Sequence, residues 1–147
     1  GSVMQESARA ALSHIRATAQ ELGVDAALLT THDLHVHVPA GAIPKDGPSA
    51  GVTMATAIVS ALRNQKVADD VAMTGEITLS GLVLPVGGIR EKVLAARRFG
   101  IRTFIHPSRN SADVAELPQE VRDTMTFVPA STLDDVLRVA LPRPSAT

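Results

Sequence analysis

Ile77-Thr78-Leu79-Ser80-Gly81-Leu82-Val83-Leu84-Pro85-Val86-Gly87-Gly88, residues 77–88, reads as two short apolar strands, Ile77–Leu79 and Leu82–Val86, folded on Ser80-Gly81 and broken off by a glycine pair. A hairpin joins antiparallel strands, so the chain is an α/β domain of the mixed α+β kind and not a regularly alternating parallel sheet. Upstream, Val71–Thr74 is a short strand. Downstream, Ile89–Phe99 is a helix that stops at Gly100. Arg102–His106 reads as a buried strand stopped by Pro107, Asp113–Leu117 as a short helical piece, and Thr126–Pro129 as a strand. Ser131 or Thr132 caps a last helix through Leu141, with Asp134 and Asp135 in its first turn matching the helix dipole. On the amino-terminal side, Met4, Ala8, Ala11, Leu12, Ile15, Ala19 and Leu22 recur at helical spacing up to Gly23. Ala27–Thr31 and Leu34–Val38 are expected as strands around a turn at His32-Asp33, with His35 and His37 together on one strand face.

With 147 residues and 45% hydrophobic content, the chain suits one compact domain, expected over residues 1–141, with 142–147 as a disordered tail. A net charge of -1, only three Phe and no Trp or Tyr leave neither an electrostatic footprint nor a stacking platform for nucleic acid. No cysteine is present, no apolar run reaches membrane-spanning length, and no leader pattern opens the chain. These features predict a soluble intracellular protein, in the cytoplasm of a bacterium or in an organelle matrix, that meets neither membrane nor nucleic acid.

A second stretch carries chemistry. In Pro44-Lys45-Asp46-Gly47-Pro48-Ser49-Ala50-Gly51, two prolines restrict the backbone, and a helix over Val52–Leu62 follows. Ser49 therefore sits at a helix mouth, where unpaired N–H groups and the positive dipole end favour a developing oxyanion. A serine hydroxyl still needs a base. Projected at about 100° per residue, the helix after Gly88 puts Ile89, Lys92, Val93, Ala96 and Phe99 on one arc, so Lys92 lies inside an apolar face. Burial and the helix amino-terminus both press such a lysine towards the neutral amine, which is a general base. The competing reading is a lysine whose stem lies on the core while its ammonium snorkels to water.

Three strings occur in order: Pro44 to Gly51, then Asp70-Val71-Ala72-Met73-Thr74-Gly75-Glu76-Ile77-Thr78-Leu79, then Leu84-Pro85-Val86-Gly87-Gly88-Ile89-Arg90-Glu91-Lys92. With Val3–Ala8 and His35–Pro39 they resemble the proteolytic domain of the ATP-dependent Lon proteases over nearly the whole chain. The resemblance implies a compact α/β domain related to domain 2 of ribosomal protein S5. It implies Ser49 as nucleophile and Lys92 as base, with Thr74 holding the amine, in an endopeptidase that degrades unfolded, damaged and regulatory proteins through an acyl-enzyme. It also implies a homohexameric ring, with ATP and Mg²⁺ needed only by an ATPase module absent from this chain. Asp46 is read chiefly as a helix cap and, by resemblance, as a neighbour of the dyad; Glu76 is read as structural or interfacial.

Other readings are weaker. His35 and His37 resemble a metal pair, but no third ligand stands at metalloenzyme spacing, so they are read as hydrogen-bonding supports or as plain sheet surface. Gly47-Pro48-Ser49-Ala50-Gly51 formally fits the nucleophile elbow of α/β-hydrolases, with Asp70 and His106 completing a triad. The same glycines opening a helix also suit a phosphate cradle, although no P-loop string occurs.

Overall fold

Alternation along one central strand sorts this chain into layers. The computed structural model describes residues 1–36 and 47–143. Strands β1 (Val71–Met73), β4 (Thr103–Pro107) and β5 (Thr126–Ala130) pair in parallel in the order β1-β4-β5. Strands β2 (Glu76–Ile77) and β3 (Val83–Leu84) form the antiparallel hairpin, with Ile77 opposite Val83. Successive strand residues point to opposite faces, so Phe104 and Ile105, both buried, look into different cores.

Ile105 joins the larger core, built by α1 (Ser2–Ala17), α3 (Gly51–Arg63) and α7 (Leu133–Ala140) through Ala11, Ile15, Val52, Ala55, Val59, Leu133 and Val136. Phe104 joins the smaller one, built by α4 (Ile89–Arg98) and α6 (Gln119–Thr124) through Ile89, Val93, Ala96, Val121 and Met125. A short α5 (Ser111–Ala115) lies beside it. The result is the mixed α/β single domain that the hairpin predicts.

Local chemistry fixes the ends that matter. Thr132 is the cap of α7: its hydroxyl accepts from the Asp135 amide at 3.3 Å, and the Asp135 carboxylate accepts from the Thr132 amide at 3.1 Å. Arg63, in the last turn of α3, donates to the Leu22 carbonyl at 2.8 Å and to the Leu141 carbonyl at 3.0 Å, tying the two ends of the domain together. Pro142 accepts from the Gln65 side-chain amide, and Arg143 donates to the Glu21 carbonyl.

Four expectations are corrected. Ala27–Thr31 is a helical turn, α2, and not a strand. Asp25 accepts from the Ala27 amide at 3.0 Å and the Thr30 and Thr31 hydroxyls donate to the Ala27 carbonyl, so side chains serve the turn's backbone where a ladder partner would have been needed. Leu34–Val36 has no strand partner among the described residues, and Leu34 and Val36 stay 37% and 44% exposed; residues 37 and 38 lie outside the described residues. The first helix closes at Ala17, after which turns keep Ala19 and Leu22 buried. Phe99, expected on the apolar face of α4, is 87% exposed, because the helix ends at Arg98 and the chain reverses at Gly100 with a φ of 78°. Leu94 and Ile101 pack against the smaller core instead.

Candidate active site

The site forms at the seam between the two cores, past the carboxyl end of β1. There the chain bends through Thr74-Gly75 into the hairpin, and the bend grips the turn that precedes α3. The Ser49 carbonyl accepts from the Gly75 amide at 3.0 Å and from the Thr74 hydroxyl at 3.3 Å, while the Val52 amide donates to the Gly75 carbonyl at 3.1 Å. Gly51 makes this approach feasible, since a Cβ there would lie 2.9 Å from the Ile77 amide nitrogen and from its Cγ2. Ser49 is thus pinned to β1 through its backbone, which leaves its side chain to face the cavity.

From the other core, α4 supplies Lys92 one turn inside its start, with Gly88 in the left-handed conformation (φ 73°) setting the direction of entry. The Lys92 amine donates to the Thr74 hydroxyl at 3.3 Å and to the Gly87 carbonyl at 3.1 Å. Burial holds Lys92 below the ordinary lysine value. Ser49, Thr74 and Lys92 line one cavity of about 540 Å³, whose other walls include Ala72, Ala96, Ile101 and Phe104, with Phe99 among its residues. Lys92 is the only ionisable side chain on that wall among the described residues.

The remaining candidates are placed differently. His35 lines a separate cavity on α3 with Leu34, Val36, Met54 and Ile58. His37 and Asp46 lie outside the described residues. Glu76 starts β2, half-buried and away from the cavity. No cluster of three or more His, Asp or Glu that suits a metal ion occurs among the described residues. The hydrolase triad is not assembled: Asp70 accepts from the Arg102 amide at 2.8 Å at the amino end of the parallel sheet, whereas buried His106 sits at the carboxyl end of β4. Asp70 is level with Arg102, four residues before His106, so at about 3.3 Å per strand residue the two stand about 13 Å apart along the sheet. The phosphate cradle is compromised too, because the Gly51 and Val52 amides at the mouth of α3 are spent on the Pro48 and Gly75 carbonyls. That also corrects the expectation that the whole helix mouth offers unpaired N–H groups to an oxyanion. The Gly87 carbonyl is not revealed by residue pattern, since a backbone acceptor leaves no side-chain signal.

A serine held by its own backbone and a half-buried amine share one cavity in a mixed α/β domain, an arrangement that suits a peptidase. Residues 1–143 match the model of the Lon protease (S16) C-terminal proteolytic domain, and the chain belongs to that family. It is 57% identical over 147 residues to the Lon protease of Chloroflexus aurantiacus, covering 100% of this chain and 18% of that protein. It is 59% identical over 141 residues to the Lon protease of Geobacter metallireducens and 54% identical over 141 to Lon protease 1 of Bacillus subtilis, in each case covering 96% of this chain. The chain thus spans less than a fifth of these relatives' length, 17% and 18% in the last two. No described helix is long and apolar enough to cross a membrane.

Proposed function

We propose that this domain is the endopeptidase part of an ATP-dependent protease and works through a Ser49–Lys92 dyad. The carrying observation is the anchoring of the Lys92 amine by two acceptors, Thr74 and Gly87, on the wall of the cavity that Ser49 shares. An sp³ nitrogen has four positions. Cε takes one and the two hydrogen bonds take two, so a neutral Lys92 keeps its lone pair as the fourth, available to the Ser49 hydroxyl. The Thr74 hydroxyl donates to the Ser49 carbonyl, which orients its own lone pairs to receive Lys92.

In this scheme Lys92 accepts the Ser49 proton as Oγ attacks the scissile carbonyl, and returns it to the leaving amine as the tetrahedral intermediate collapses to an acyl-enzyme. Water then attacks the ester with Lys92 again as base, and as the carbon–Oγ bond breaks Lys92 returns that proton to Ser49, releasing the carboxylic acid product and the free serine. With the Gly51 and Val52 amides occupied, stabilisation of the oxyanion falls to the amides of Ser49 and Ala50. Substrates are unfolded, damaged or regulatory polypeptides, delivered in the cytoplasm by an ATPase module that holds ATP and Mg²⁺ and assembles with this domain as a homohexameric ring. Residues 1–141 form the proteolytic unit.

The test is made in the enzyme carrying its ATPase module. Ser49→Ala and Lys92→Ala should each abolish cleavage of an unfolded protein while ATP hydrolysis persists. Turnover surviving either substitution would overturn the dyad, and loss in His106→Ala with Lys92 dispensable would favour the triad.

A further inference from the structure

We propose that Asn110 is a positioning residue for Lys92, acting through the Val86-Gly87 backbone; the catalytic part of this inference rests on the dyad reading above. Asn110 is buried at the end of a short 3-10 turn (Ser108–Asn110), just before α5, a place where an asparagine ordinarily caps the following helix. It does not cap. Its Oδ1 accepts from the Val86 amide at 3.0 Å and its Nδ2 donates to the Val86 carbonyl at 2.9 Å, so one side chain pairs with both backbone groups of a residue 24 positions away, as a neighbouring strand would. The second hydrogen on Nδ2 goes to the Asp113 carboxylate at 2.8 Å, which fixes the plane of the amide.

The next peptide unit carries the consequence. Gly87 has no side chain, and even a Cβ placed there would meet nothing within 4 Å, so packing does not set the direction of its carbonyl. That direction is fixed from Val86, held by Asn110, and from Gly88, held in the left-handed start of α4. The Gly87 carbonyl is one of the two acceptors of the Lys92 amine. Asn110 lies outside the Ser49–Lys92 cavity, so it touches neither substrate nor reacting atoms. Released from Gly87, the amine keeps only Thr74 and swings towards water, where its charged form is favoured. Lys92 alone is ionisable on the cavity wall among the described residues. Across Gly88, the charges of Arg90, Glu91, Asp113 and Glu116 line a separate pocket.

The chain has three lysines, Lys45, Lys66 and Lys92, so lysine labelled with ¹³C at Cε gives three signals to titrate in the 147-residue protein. In Asn110→Ala the Lys92 midpoint should rise towards the ordinary lysine value. In the enzyme with its ATPase module, kcat on a short peptide at neutral pH should fall roughly tenfold to a hundredfold with KM within about twofold, and the acidic limb of the kcat profile should move up with the midpoint. Asp113→Ala, which loosens the amide without deleting it, should shift both in the same direction by less, and serves if Asn110→Ala does not fold. Asp113→Asn keeps an acceptor and removes the charge, so its Lys92 midpoint should match the wild type; a shift as large as that of Asn110→Ala would overturn positioning in favour of electrostatics. Lower thermal stability with an unmoved Lys92 titration and an unchanged kcat would also overturn it. Should Lys92→Ala leave turnover intact, the dyad fails, yet the titration still decides whether Asn110 holds the amine.

Discussion

The two faces of the β1-β4-β5 sheet are covered unequally. Three helices close the face that receives Ile105, with Ile15, Val52, Val59, Leu133 and Val136 wholly buried. The face that receives Phe104 has α4, the short α6 and a few half-buried side chains such as Leu94 and Ile101, and it leaves the Ser49–Lys92 cavity open at its edge. The serine is tethered to the first layer and the lysine to the second. A thick, rigid layer fixes the nucleophile's backbone, and a thin one leaves room beside the amine for a polypeptide.

The largest break in this asymmetry should come from chemistry. Lys92→Ala should lower peptide turnover roughly 10³- to 10⁴-fold while the melting temperature hardly changes, since the thin layer contributes little around that amine. Next, Ile105→Ala should cost about 4 kcal/mol in urea unfolding, against about 2 for Met125→Ala on the other face; equal losses would erase the distinction between layers. The acidic limb of activity should lie below the ordinary lysine range, because burial lowers the Lys92 value and only the neutral amine accepts a proton. His106 lies under Phe127 at a ring separation of 6.5 Å, and burial depresses its value although its contact with the Pro107 carbonyl opposes that. Folding therefore disfavours its protonation. Stability is complete above the unfolded value of about 6.5 and is lost as pH falls from there through the lower folded value, so His106→Gln should flatten melting temperature against pH in that window. Removing the cap of α7 with Thr132→Ala should cost about 1 kcal/mol, and Phe99→Ala, on an exposed ring, no more than about 0.5.

The hairpin, the helix after Ser49 and the inward arc of α4 were legible because their patterns are set by period and by turn glycines. Ala27–Thr31 misled because a five-residue apolar run carries no decisive period, and the Asp25 and threonine hydrogen bonds that make it helical are specific contacts. Phe99 misled because a helical projection does not say where the helix stops. Thr74 beside Lys92 was foreseen only through family resemblance, while Gly87 and Asn110 act through backbone geometry that no spacing rule encodes.

Arg63 reaching both Leu22 and Leu141 has a consequence for synthesis. The helix behind the nucleophile packs on α1 and on α7, so its hydrophobic face is completely covered only once residues 133–140 have been made. The layer behind the nucleophile is thereby completed late: serine, lysine and the Thr74-Gly75 bend that grips the serine are all in the chain before α7 closes the far side of α3.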